Sequence, residues 1–239
     1  MRKVLVTGGG TGIGRAIARR FAEAGDHVTI CGRRMEPLER AAEGYDMTLR
    51  QADVTDEASV AQLFKTPFDV VIANAGAART AKLTDLSLDD WNQTLNVTLT
   101  GVFLTFRAAL KGMAPGGRLI AIASTASLQG GATLAAYSAA KHGVLGLVRS
   151  TAKEIARSGI TCNAICPGFV DTEMAADAAQ NVARKFDIDE AKAMDMIVAP
   201  NPMRRLIAPE EVAATALFLA SDGAASINGH GLSVSGGEI

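Results

Sequence analysis

Residues 6–21 read VTGGGTGIGRAIARRF. A short strand-like run enters a glycine-rich turn, and the turn leads straight into a helical pattern with Ile13, Ile17 and Phe21 at four-residue spacing. A glycine motif alone says little. One bracketed by a strand before it and a helix after it predicts a nucleotide-binding turn. Gly8 and Gly12 let the main chain approach a diphosphate, and Gly14 permits close packing of helix on sheet. The free N–H groups at the helix start add a positive dipole end facing the anion. Thr11 and Ile13 lie in the same turn and join it as cofactor-binding candidates.

Outward from this turn, short apolar runs alternate with helix-length stretches. Residues 3–7, 27–31, 68–73, 118–124, 160–166 and 231–234 each read as a strand. The first four are almost continuously apolar, as parallel strands covered on both faces must be. PEEVAATALFLA at 209–220 reads as a helix opening on proline. The alternation runs along 1–239 without a repeat or linker, which predicts one α/β domain. Its expected form is a doubly wound Rossmann parallel sheet with helices on both faces and right-handed crossovers. Residues 171–205 break the rhythm. They follow a strand, carry short helical patterns, and are expected to form a helical substrate lid within the domain.

Composition narrows the function classes. The 239 residues carry 24 basic and 25 acidic side chains, a net charge of −1, so nucleic acid and anionic membrane surfaces are not expected partners. Hydrophobic residues make up 48% and charged residues 21%, with no apolar run of membrane-span length. Cys31, Cys162 and Cys166 form no CxxC pair and have no clustered histidines, which points to reduced core thiols, no metal site and a cytoplasmic location.

The second strand ends in TICGRRMEP. An NAD-binding fold of this type places an acid there to hold the ribose 2′-hydroxyl. Here Gly32 and Arg33 take that place, and the first carboxylate is Glu36. A guanidinium without a competing acid suits a 2′-phosphate, so NADP(H) is favoured, with Arg34 as a second contact. NAD(H) stays open, since Arg33 could stack on adenine instead.

The stretch AAYSAAKHG at 135–143 sets Tyr137 and Lys141 four positions apart. On a helix that spacing puts the phenol and the amine on one face. A neighbouring ammonium is expected to lower the phenol pKa, making Tyr137 a general acid for carbonyl reduction and a base for the reverse reaction. Ser124 ends the run RLIAIAS at the carboxyl edge of the sheet, where open α/β sheets bind ligands; Ser127 is its competitor as a hydroxyl near that edge.

The pattern TGxxxGxG at 7–14, NAG at 74–76 and Tyr-x3-Lys at 137–141 resembles the short-chain dehydrogenase/reductase family over essentially the whole chain. The resemblance implies that Ser124, 13 residues before Tyr137, orients the substrate oxygen, and that Lys141 also holds the nicotinamide ribose. It implies that Asp53 and Val54, closing strand three, meet the adenine, and that the main chain of Asn74, Ala75 and Gly76 runs along the cofactor. In CPGFVDTEM at 166–174 it assigns Pro167 and Gly168 to a turn around the nicotinamide and Val170 and Thr172 to its carboxamide.

Three features depart from the family pattern. Ala73 replaces the first of a usual Asn pair, the helix within 56–65 is short, and Thr98 stands where the family carries a proton-relay asparagine that acts through its main-chain carbonyl. The motifs look most like 3-oxoacyl and polyketide ketoreductases. The implied function is NADP(H)-dependent reduction of a ketone or oxidation of a secondary alcohol, in a homotetramer. Polyol, sugar or small secondary-alcohol dehydrogenases using NAD remain alternatives, as does a non-catalytic nucleotide-binding regulator.

Overall fold

The computed structural model describes residues 1–239. Seven strands, β1 (Lys3–Thr7), β2 (His27–Gly32), β3 (Met47–Gln51), β4 (Val70–Ala73), β5 (Arg118–Ile122), β6 (Thr161–Pro167) and β7 (Gly231–Val234), form one parallel sheet. Their order is β3-β2-β1-β4-β5-β6-β7. The chain therefore winds outward from β1 to β3, returns to β4 beside β1, and winds outward the other way. This reversal opens a crevice at the carboxyl ends of β1 and β4.

Helices cover both faces: α1 (Gly12–Glu23), α2 (Met35–Ala42), α3 (Glu57–Leu63), α4 (Leu88–Leu95), α5 (Gly101–Leu110), α6 (Ala135–Ile155), α7 (Glu173–Phe186), α8 (Glu190–Val198) and α9 (Pro209–Leu219). Successive β1 residues show why the strands read as solid apolar runs. Val4 and Val6 enter a core with Phe21 of α1 and Leu219 of α9, while Leu5 enters the opposite core with Phe106 of α5 and Val148 of α6. Both faces are dry, so both side-chain sets are apolar.

The six expected strands are present to within two residues at either end. β3 is the one that the apolar runs did not reveal. It is an edge strand paired only with β2, and Thr48, Arg50 and Gln51 face solvent, so no apolar run marks it. Residues 171–205 hold α7 and α8, which pack on each other through Ala179, Ala183, Ala193 and Ile197. No helix is long and apolar enough to cross a membrane.

Candidate active site

The crevice begins with how β1 and β4 are stitched together. The Thr7 hydroxyl accepts hydrogen bonds from the N–H groups of Asn74 (3.0 Å) and Ala75 (3.1 Å). In return the Asn74 amide donates to the carbonyls of Thr7 (3.0 Å) and Gly8 (3.1 Å). Gly8 has φ of 64° and Gly12 φ of 48°, the left-handed region that the turn into α1 demands. A side chain on Gly14 would collide with the Gly8 carbonyl and the Asn74 amide.

α1 starts with no side-chain cap and no acid in its first turn, so its free N–H groups face the crevice unopposed. This cradle fits the diphosphate of a dinucleotide.

Most of the expected cofactor set lines this one cavity. Gly8, Thr11, Gly12, Ile13 and Gly14 form one wall, Asn74, Ala75 and Gly76 the next, and Arg33, Asp53 and Val54 the far end. Thr172 lies over the turn, its Cγ2 3.1 Å from where a Gly12 Cβ would stand. Asp53 is held ionised below the usual carboxylate range, first by the Thr55 N–H (2.9 Å) and also by the Thr55 hydroxyl (2.8 Å) and the nearby Arg33 guanidinium. Glu36, the nearest carboxylate in sequence to Arg33, is paired with Arg40 one helical turn on.

Tyr137 and Lys141 enter the same cavity from the first turns of α6. The Lys141 ammonium lies 5.6 Å from the centre of the Tyr137 ring and donates to the Ile122 carbonyl at 2.6 Å. Lys141 is only 4% exposed, and burial pushes its pKa down to about 8. An ammonium has three protons to donate and this one has a single protein acceptor, so the site is built to receive further hydroxyl or carbonyl oxygens. That too fits the ribose of a dinucleotide.

The phenol differs from the sequence expectation. Burial raises the Tyr137 pKa above its ordinary 10.0, and the Ser124 hydroxyl pulls the other way; the lysine is not among the causes. The reason is geometric: the ammonium is drawn to Ile122 O and sits by the ring face rather than at the phenol oxygen.

Six expected residues, Ser124, Thr98, Arg34, Pro167, Gly168 and Val170, lie off the cavity wall, as does the competitor Ser127. Ser124 extends β5 just past Ala123, which does line it, and the Ser124 hydroxyl accepts from Ala126 N–H at 3.1 Å. Ser127 is 2% exposed, and its buried hydroxyl has no partner. Arg34 is exposed at the start of α2, outside the cavity. Pro167 closes β6 and Gly168 follows it, while the Val170 side chain packs in the core and its main chain bridges to that of Ile207.

Thr98 is fully buried in a single π-helical turn, Asn96–Thr100, between α4 and α5. Its hydroxyl accepts from Ala77 N–H at 3.2 Å and donates to Ala77 O at 3.1 Å. The side chain therefore clasps the main chain that continues Asn74–Gly76, a role that the sequence did not reveal. Thr98→Val keeps the shape and strands both Ala77 groups, so we expect a loss of about 2 kcal/mol in urea unfolding, largely restored by Thr98→Ser.

Sequence reading also missed Thr7, Ile122, Ala77, Val97 and Glu173. Thr7 was visible in the motif itself. Ile122 acts through a carbonyl, which no residue type announces.

The sequence profile described as enoyl-(acyl carrier protein) reductase matches residues 8–238. A crystal structure of an actinorhodin polyketide ketoreductase variant with NADPH superposes with a TM-score of 0.93 at 37% identity, covering 99% of this chain and 97% of that one. The 3-oxoacyl-[acyl-carrier-protein] reductase of Synechocystis sp. is 36% identical over 250 residues, 98% of this chain and 96% of its own length. The (3R)-3-hydroxyacyl-CoA dehydrogenase of Canis lupus familiaris is 34% identical over 255 residues, 98% and 94% of the two lengths. With the glycine cradle, the Tyr137–Lys141 pair and the sheet order already in place, these likenesses settle the lineage: the chain belongs to the short-chain dehydrogenase/reductase family of oxidoreductases.

Proposed function

We propose that this chain is an NADP(H)-dependent ketoreductase that converts 3-oxoacyl thioesters into 3-hydroxyacyl thioesters. The observation that carries the reading is the buried Lys141 ammonium. It has one acceptor of its own and lies beside the Tyr137 phenol, in the cavity that also holds the glycine cradle. The thioester class is supported by relatives named for acyl-carrier-protein and CoA derivatives.

The nicotinamide, when bound, supplies the hydride. The chain supplies the rest. Ser124 offers its hydroxyl to the substrate oxygen, and Tyr137 gives that oxygen a proton as charge develops on it. Burial holds the phenol protonated across neutral pH, the state that reduction requires. Lys141 holds its ammonium over the Tyr137 ring face with protons left to donate to the cofactor's ribose, and Thr98 fixes the Ala77 segment along the cofactor wall. Residues 171–205 act as the substrate lid, bringing Glu173 and Met174 to the cavity. We further assign a cytoplasmic location, in keeping with three free buried thiols, and a homotetramer, which sedimentation would show as four copies.

Arg33 sets the preference for the 2′-phosphate. It lines the cavity, and its nearest rival acid in sequence, Glu36, is committed to Arg40. Arg33→Ala should raise KM for NADPH by roughly tenfold or more and leave KM for NADH within about twofold, since only the phosphate contact is lost. Equal effects on both cofactors would return Arg33 to an adenine-stacking role.

The reaction is tested by following NADPH and NADH consumption against 3-oxoacyl thioesters, keto sugars and enoyl thioesters. Preferential use of NADPH with the 3-oxoacyl thioester is expected. Turnover confined to the enoyl substrate or to keto sugars would replace this reading.

A further inference from the structure

The far end of the cavity, at Arg33, Asp53 and Val54, is held from behind. Past β3, Ala52 donates its N–H to Gly32 O at 2.9 Å, and Asp56 donates to Asp53 O at 3.2 Å. The Asp53 N–H itself goes to the Ser59 hydroxyl at 3.0 Å. Val54 is buried and packs against Gly101, where a Cβ on the glycine would stand 2.8 Å from Val54 Cγ2. The main chain of this turn is therefore fixed. What stays free is rotation of the Asp53 carboxylate.

One residue stops that rotation. Thr55 gives Asp53 Oδ1 two donors, its N–H at 2.9 Å and its hydroxyl at 2.8 Å. Two donors use both lone pairs of that oxygen. Oδ2 has no ion-pair partner, and Arg33, though near enough to favour the charged carboxylate, does not pair with it. A cavity residue with one oxygen saturated and the other open presents a single anionic acceptor. Such an acceptor favours an N–H donor and opposes a carbonyl oxygen. Adenine carries an amino group at its six-position, and hypoxanthine carries an oxygen there.

We propose that Thr55 is a positioning residue for base selection: its hydroxyl turns the Asp53 carboxylate so that Oδ2 takes the amino group of adenine, and the cofactor site thereby discriminates against a hypoxanthine dinucleotide. This rests on the cofactor reading above. The hydroxyl acts through Asp53 and touches no reacting atom.

The test measures binding, without turnover. Full-length protein is titrated by calorimetry with NADPH and with its hypoxanthine analogue, and the readout is the ratio of the two Kd values. Wild type should bind NADPH about tenfold more tightly. Thr55→Val keeps the shape and the N–H but loses the hydroxyl, and should cut the preference to about threefold or less. Thr55→Ser restores the hydroxyl and should stay within about twofold of wild type. Asp53→Asn, whose amide can turn a donor toward the hypoxanthine oxygen, should bring the ratio to about one. An unchanged ratio in Thr55→Val, or an equal fall in Thr55→Val and Thr55→Ser, would overturn the inference and leave Thr55 a turn residue. Equal binding of both dinucleotides by wild type would overturn the inference alone. Binding of neither would overturn the cofactor reading and the inference with it.

Discussion

Tyr137→Phe should lower kcat for carbonyl reduction by about a thousandfold, while NADPH affinity stays within about threefold of wild type. The ring remains on α6, the cavity wall keeps its shape, and only the phenolic proton is lost. No other acid is placed to replace it: Ser124 has a far more basic conjugate, and Lys141 is turned to Ile122 O. The reverse reaction should show the complementary pH dependence in wild type. Burial raises the phenol pKa, so the phenolate that accepts a proton from an alcohol grows as pH rises, and oxidation should accelerate from neutral to alkaline pH. Measuring both directions at saturating cofactor checks the two statements together. Residual reduction above about a tenth of wild type would remove Tyr137 from its role.

Lys141→Met should abolish most turnover, by a hundredfold or more, and at the same time stabilise the cofactor-free protein. Lys141 is a buried ammonium whose pKa falls from an ordinary 10.5 to about 8 because burial opposes its charge. Between those values the folded chain binds fewer protons than the unfolded chain, so this group's contribution to stability improves as pH rises through about 8 to 10.5. Below pH 8 the full cost of burying the charge applies. Methionine removes that cost with nearly the same shape, offset by the loss of the hydrogen bond to Ile122 O. We expect a gain of about 1–3 kcal/mol at pH 7, or roughly 3–8 °C in melting temperature, that shrinks toward pH 10. A fall in melting temperature at pH 7 would mean that the Ile122 bond outweighs the buried charge. Function at this position is thus held against stability.

The glycine turn and the Tyr137–Lys141 spacing were legible because each answers to a geometric demand that few residue types meet. Gly14 must let the Gly8 carbonyl pass, and a four-residue step is what stacks two side chains on one helical face. The strands were legible where both faces are buried; β3 left no apolar run, because an edge strand with exposed Thr48, Arg50 and Gln51 resembles a loop, and the family resemblance alone implied it, ending at Gln51 just before Asp53 and Val54. Contacts made by the main chain leave no mark in residue type, so Ile122 O was invisible. Thr98 was legible as a departure from the family pattern, yet the double hydrogen bond to Ala77 emerged only from the fold. Val170 shows the same limit: its side chain lies in the core, so only its main chain is left for the expected carboxamide contact. The phenol pKa was misjudged because sequence supplies the neighbour, Lys141, but neither the burial of Tyr137 nor the carbonyl that claims the ammonium.

The most direct measurement is product analysis after incubation of the protein with NADPH and a 3-oxoacyl thioester, with 3-hydroxyacyl thioester separated by chromatography and NADPH followed by absorbance. The account predicts one 3-hydroxyacyl thioester for each NADPH consumed, with both signals lost in Tyr137→Phe. Tight NADPH binding without any hydroxyacyl product, or product formed equally well by Tyr137→Phe, would contradict it.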